Sequence, residues 1–216
     1  MKEVLKIDSV FLEFDNKQVL RGACLELAKH RITGLLGRNG SGKSCFMQVL
    51  TGQLASSHKH LTYNGRFVED LFKQKGLANY LPQFSFHPKS ATLKQLLYFY
   101  NIPTESFLER NPFLKPSIAQ KFSHISGGEQ RLIEVLLVLE ADTTFSLLDE
   151  PFTYIMPKYV DLIKERIVAL SSQKGFLITD HQYRHILELS DELYLMDQGR
   201  LQLVQEEDLQ EYGYLK

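Results

Sequence analysis

At 216 residues and 44% apolar content, the chain has the length and the apolar material for one domain with a proper core, which excludes a disordered segment. Lys and Arg number 25 against 26 Asp and Glu, a net charge of −1, so no global electrostatic argument points to nucleic acid. Two cysteines without C-x-x-C spacing read as thiols of a reducing compartment, no apolar run nears the ~18 residues of a membrane span, and the charged opening (Lys2, Glu3, Lys6, Asp8) is unlike a leader, so a cytoplasmic protein is expected.

In chain order, Val4 to Phe14 alternates apolar and charged residues and predicts a strand. Asp15-Asn16-Lys17 is a turn signal, with Val19-Leu20 and Ala23 to Leu27 as a second strand region. Arg31 to Leu36 is an apolar strand, followed by a glycine-rich loop and a helix from Lys43 to Thr51 that Gly52 ends. Leu61 to Tyr63 with Asn64-Gly65 predicts a short strand and tight turn, and Asn79 to Gln83 a brief strand entering a loop. Leu93, Leu96, Leu97 and Tyr100 sit at helical spacing, and Pro103, Pro112 and Pro116 divide the next stretch into short helices. Ser126-Gly127-Gly128 opens an apolar helix through Leu139. Phe145 to Leu148 and Phe176 to Thr179 are buried strands around an amphipathic helix (Tyr159 to Leu170), and Leu193 to Met196 with Arg200 to Val204 form a final pair. Strands alternating with helices predict an α/β fold on a mixed, largely parallel sheet.

Gly37-Arg38-Asn39-Gly40-Ser41-Gly42-Lys43-Ser44 spells G-x-x-x-x-G-K-S between a strand and a helix, the context a phosphate-binding loop requires. Glycines let the backbone N–H groups close on phosphate oxygens, Lys43 adds positive charge, the helix N-terminus faces the anion, and the Ser44 hydroxyl suits Mg²⁺. Leu147-Leu148-Asp149-Glu150 is an apolar strand ending in two acids. Asp149 is placed to hold Mg²⁺ through water, and Glu150 to take a proton from an attacking water.

Ile125-Ser126-Gly127-Gly128-Glu129-Gln130-Arg131 resembles the signature motif of ATP-binding cassette (ABC) ATPases, and loop, signature and Asp-Glu strand occur in that family's order over essentially the whole chain. The resemblance implies a P-loop NTPase core with an N-terminal antiparallel β subdomain and an inserted helical subdomain near 84–135. It implies that ATP with Mg²⁺ is bound and hydrolysed, with Ser126, Gly127, Gly128 and Glu129 closing over the nucleotide of a second copy or a homologous ABC subunit. Gln83 matches the family's Q-loop glutamine, a Mg²⁺ and water contact, and His181 the switch histidine that orients the water and Glu150. Phe14 falls where the family stacks an aromatic on adenine, with Val19 padding the same face. Met156 stands where the family places an aspartate in the loop that crosses the dimer interface, which puts coupling between the two sites in doubt. Of the remaining histidines, His58, His60, His87, His124 and His185 read as surface or loop residues.

The leading expectation is the ATPase subunit of an ABC transporter, peripheral on the inner face of the cell membrane. Its integral membrane subunit would dock near Gln83–Pro88 and the following helix, where Phe84 and Phe86 either face the partner or fold into the helical subdomain. Alternatives are a non-transport ABC ATPase acting on nucleic acid or ribosomes, or a weakly hydrolysing regulator. The long coiled-coil insertion or second cassette usual in the first alternative is absent from the sequence, and no nucleic-acid partner is expected.

Overall fold

Three five-residue runs, Ile32–Leu36, Phe145–Asp149 and Gly175–Thr179, are buried at every position. Strands buried on both faces belong in the middle of a parallel sheet covered by helices, and they lie there in the computed structural model, which describes residues 3–15, 17–210 and 212–213. The elements are β1 (Val4–Phe14), β2 (Lys17–Ala28), β3 (Ile32–Leu36), α1 (Lys43–Thr51), β4 (His58–Tyr63), β5 (Arg66–Val68), β6 (Ala78–Leu81), α2 (Leu93–Phe99), α3 (Thr104–Arg110), α4 (Gly127–Glu140), β7 (Phe145–Asp149), α5 (Pro157–Ser171), β8 (Gly175–Thr179), α6 (Tyr183–Leu189), β9 (Glu192–Asp197) and β10 (Arg200–Val204). The main sheet has six strands in the order β10-β9-β3-β8-β7-β6, parallel except for the β9–β10 hairpin. A second sheet, β2-β1-β4-β5, is antiparallel throughout.

The strand of Val4–Phe14 is present, but its alternation changes phase. Leu5 and Ile7 are buried, then Val10 and Leu12, and the pairing with β2 slips between Ile7 and Val10, where Ser9 has a left-handed φ of 53°. A bulge at this point keeps one face of the strand on the core. In the turn signal after it, Asn16 lies outside the described residues. The turn at Asn64-Gly65 has φ of 52° and 79°, as a tight two-residue hairpin demands.

Alternate residues of the central strands feed two cores. Leu35, Leu147 and Leu177 join Phe46, Met47, Val49 and Leu50 of α1 and the inward residues of β1 and β2. Leu36, Leu148 and Ile178 join Leu93, Leu97, Phe107, Leu132, Leu136, Ile163 and Ile186 from the helices. Each such side chain contributes roughly 1.5–3 kcal/mol by leaving water. Everything between β6 and β7 is helical or loop, and it shares the second core, so α2 to α4 are fixed to the strands they interrupt. Helix α2 starts on a reciprocal Thr92–Gln95 capping box, worth about 1 kcal/mol. Helix α1 ends where Gly52, at φ 80°, donates its N–H to the Gln48 and Val49 carbonyls.

Candidate functional site

Four neighbouring strands, β3, β8, β7 and β6, end at one edge of the sheet and deliver the sequence motifs there in spatial order. The glycine-rich loop leaves β3. Asp180 and His181 leave β8, Asp149 and Glu150 end β7, and Gln83 follows β6. Pairing puts Asp149 opposite Thr179 and Leu148 opposite Leu81, so the last three chains depart side by side. Ligands of open α/β sheets sit at such an edge, beyond the carboxyl ends of the strands.

The loop is shaped by its glycines. Gly37 has φ 154° and a Cβ there would stand 2.7 Å from Ser41 Oγ and 2.8 Å from the Met196 carbonyl. Gly42 has φ 110° and packs on Leu20, Met196 and Val19. The Lys43 ammonium donates to the Gly37 carbonyl at 2.7 Å and that of Arg38 at 3.2 Å. Burial lowers the Lys43 pKa, against the charges of Asp149 and Glu150, which raise it. Ser41 Oγ is buried without a hydrogen-bond partner among the described residues, a donor left for an oxygen inside the loop. A cavity of about 350 Å³ opens on this loop, lined among others by Gly37, Arg38, Asn39, Asp180 and His181. Val19 stands against the loop at Gly42, whereas Phe14, at the end of β1, is 45% exposed and so is not a core aromatic.

Asp149 is 1% exposed. Burial raises its pKa, hydrogen bonds from Ser44 and Tyr80 pull it back, Glu150 raises it further and Lys43 lowers it. The Tyr80 hydroxyl donates to Asp149 Oδ2 at 3.1 Å. Glu150 adopts φ 53°, a left-handed conformation that costs a non-glycine residue about 1–3 kcal/mol. Its N–H donates to the Thr179 carbonyl at 2.8 Å. Thr153 Oγ1 donates to Glu150 Oε2 at 3.0 Å and lies 3.2 Å from His181 Nδ1. Asp180 accepts from the N–H of Phe152 at 3.1 Å and of Gln182 at 2.9 Å, pinning the two acidic turns together.

The Ser126 hydroxyl caps α4 by accepting from the Glu129 N–H at 3.3 Å, and Glu129 itself accepts from Ser117. Ser126 and Gly127 are exposed. None of residues 126–129 lines the cavity at the phosphate loop; within one chain, loop and signature are separate surfaces. Arg131, five residues beyond Ser126, ties the signature helix to the acidic strand end and to the start of the Gln83 loop: its guanidinium donates to the Pro82 carbonyl at 2.8 Å and to those of Asp149 and Glu150 at 3.0 Å each. The sequence motifs assign no task to Arg131, Thr153 or Tyr80. Only the strand order shows that their polar atoms converge on the acidic strand end.

Two histidines differ from their surface or loop reading: His185 lies in α6, half-buried against the Phe152 ring, and His87 is more deeply enclosed. His87 has a side chain only 5% exposed, 3.4 Å from Glu134 Oε1 and 3.1 Å from the Tyr100 hydroxyl. Burial raises the Glu134 pKa, but hydrogen bonds from His87 and Ser85 and the charge of Arg131 bring it below the ordinary value. The neighbouring aromatics face outward: Phe84 is 70% and Phe86 43% exposed, beside a groove of about 590 Å³ lined by Phe86, Pro88, Ala91, Leu96, Phe99 and Tyr100.

The profile of the family described as ABC transporter matches residues 20–153. The chain is 30% identical to the lipopolysaccharide export system ATP-binding protein LptB of Acidithiobacillus ferridurans, over 93% of this chain and 89% of that one. It is 27% identical to the probable branched-chain amino acid transport ATP-binding protein LivF of Archaeoglobus fulgidus, over 93% and 90%. The fold matches a solved ATP-binding subunit of an ABC transporter with a TM-score of 0.84 at 18% identity, covering 97% of this chain and 93% of that one. It also matches a bacterial Atm1-family ABC exporter with ATP bound, TM-score 0.85 at 18% identity, over 99% of this chain and 41% of the exporter. With its phosphate loop, acidic strand end and signature helix held on this frame, the chain belongs to the ABC transporter family and is an ATP-binding, ATP-hydrolysing subunit of a transport system.

Proposed function

We infer that Gly37 to Ser44 hold the triphosphate of ATP, that Glu150 is the general base, and that His181 and Gln83 position the attacking water. Water oxygen bonds to the γ-phosphorus, its proton passes to the Glu150 carboxylate, and the β–γ bridging bond breaks with its electron pair staying on ADP. Phe14 and Val19 would flank the adenine side of the loop. Ser44, Asp149 and Gln83 offer hard oxygen donors, and the buried Asp149 carboxylate, its pKa raised by burial, is a site where a cation relieves charge. Mg²⁺ fits that set, with Asp149 reached through water; when bound, it neutralises charge on the phosphates.

The signature residues Ser126 to Glu129, of which Ser126 and Gly127 are exposed, lie apart from this chain's own phosphate cavity, which supports their use on the nucleotide of a second copy or of a homologous subunit. ATP between the subunits would then close the dimer, and hydrolysis would open it. The outward Phe84 and Phe86 and the apolar groove beside α2 support docking of an integral membrane subunit at Gln83–Pro88 and the helix after it. Among the described residues no helix is long and apolar enough to cross a membrane, so the chain would sit peripherally at the cytoplasmic face through that subunit. Residues near 84–135 would form the inserted helical subdomain within a single ABC domain.

The observation that carries this reading is the Glu150–Thr153–His181 cluster standing beside Asp149 and Lys43 at the end of four adjacent strands. Glu150→Gln tests it. The variant should retain ATP, lose hydrolysis at least about 10²-fold and elute as a dimer with ATP on size-exclusion chromatography. Hydrolysis at the wild-type rate would remove the base assignment.

A further inference from the structure

We propose that Thr153 is a positioning residue for hydrolysis: its hydroxyl joins Glu150 to His181 and fixes which imidazole nitrogen carries the proton. The inference rests on Glu150 acting as the carboxylate base.

A threonine hydroxyl has one proton to give and lone pairs to accept with. Thr153 Oγ1 lies 3.0 Å from Glu150 Oε2 and 3.2 Å from His181 Nδ1, whereas Nδ1 and Oε2 are 3.5 Å apart, beyond a good direct hydrogen bond. A carboxylate only accepts, so the hydroxyl proton points to Glu150. Thr153 Oγ1 then accepts, and Nδ1 must be the nitrogen with the proton. Nε2 is left for whatever approaches from outside the cluster. Asp180 does not offer a competing contact of equal quality: it is 3.5 Å from Nδ1, and its oxygens already accept from the Gln182 and Phe152 N–H groups.

The backbone holds Thr153 in place for this. Its N–H donates to the Glu150 carbonyl at 3.3 Å, closing the turn that Glu150 enters at φ 53°. Phe152, 2% exposed, anchors the turn in the core against the His185 ring at 4.9 Å. The charged groups around the cluster are Lys43, Asp149, Asp180 and Arg131, and the Glu150 charge raises the pKa of each. None of them offers a hydroxyl between base and histidine.

The test is Thr153→Val, which removes the hydroxyl at nearly constant shape, with Thr153→Ala as a second deletion and Thr153→Ser as the rescue. Steady-state ATP hydrolysis and two-bond ¹H–¹⁵N correlation of ¹⁵N-histidine-labelled protein are both read. Both deletions should lower kcat about tenfold with the KM for ATP within about twofold, and should turn the Nδ1–H signature of His181 into a tautomer mixture. Thr153→Ser should restore both. Deletions with wild-type kcat and an intact Nδ1–H signature overturn the proposal, and so does a serine variant as impaired as valine. Glu150→Gln separates the two levels. If it is dead while Thr153→Val is fully active, only the positioning role falls. If it hydrolyses normally, the base reading falls and this inference with it.

Discussion

The guanidinium of Arg131 donates to the main-chain carbonyl of Glu150 at 3.0 Å. Arg131 lies in the helix that the signature opens, so the backbone of the proposed base is tied to that helix rather than only to its own strand. The same guanidinium holds the Pro82 carbonyl, and through it the start of the loop carrying Gln83. Signature helix, acidic turn and Gln83 loop therefore share one buried cation, 4% exposed, whose counter-charge Glu134 is 3.5 Å away.

Arg131→Met should destabilise the fold by about 3–5 kcal/mol, because it strands a buried carboxylate as well as the carbonyls. Adding Glu134→Leu should return part of that loss, since the uncompensated charge is then gone. Urea unfolding of the two single variants and the double variant measures this. Additive losses would show that the pair does not act as a unit.

The phosphate loop supplies a second expectation. Gly42→Ala forces a side chain onto φ 110° with Leu20 Cδ2, Met196 Sδ and Val19 Cγ1 at 3.2–3.3 Å. Those neighbours are side-chain ends that can give, so strain in the backbone should decide the outcome, at about 1–3 kcal/mol. ATP affinity, measured by calorimetry, should fall more than thermal stability does. The displaced atoms are the ones that would face the phosphates.

How much the residues alone reveal depends on how local each signal is. The phosphate loop, the signature cap and the Asp-Glu strand end are contiguous, so spacing suffices, and the helix Lys43–Thr51 is bounded by its own loop and by Gly52. Tyr183–Leu189 leaves no periodicity to detect, because its buried residues, Ile186 and Leu189, are a single turn apart. The phase change at Ser9 is invisible for a different reason: a bulge is defined by its partner strand. His87 reads as a loop residue in sequence, but Glu134, which buries it, lies 47 positions away. Thr153 and Arg131 obey the same rule. Their role depends on which strands are neighbours, and strand order is a long-range property.

Tyr80→Phe probes the other acid. Its hydroxyl donates to Asp149 Oδ2 at 3.1 Å, and both groups are buried. Removing the donor leaves a carboxylate oxygen short of one bond, which should cost about 1–3 kcal/mol in urea unfolding. It should also raise the Asp149 pKa further, so half-maximal hydrolysis should need a few-fold more Mg²⁺. An unchanged Mg²⁺ requirement would argue against Asp149 as part of the cation site.

Glu134 supplies a pH test with a defined sign. It is 0% exposed, and its folded pKa lies below the ordinary value of 4.5 although burial alone would raise it. A depressed carboxylate binds fewer protons folded than unfolded. Its contribution is therefore complete above about pH 4.5 and is lost as pH falls through the folded value. Glu134→Gln keeps the shape but removes the charge that His87 and Arg131 face, and at pH 7 it should be less stable than wild type by about 1–3 kcal/mol. The gap should narrow between about pH 4.5 and the acid limit, because wild type then loses the same charge. Paired urea titrations at neutral pH and at about pH 4 read the difference. A gap of equal size at both would mean that the carboxylate acts through packing rather than through its charge.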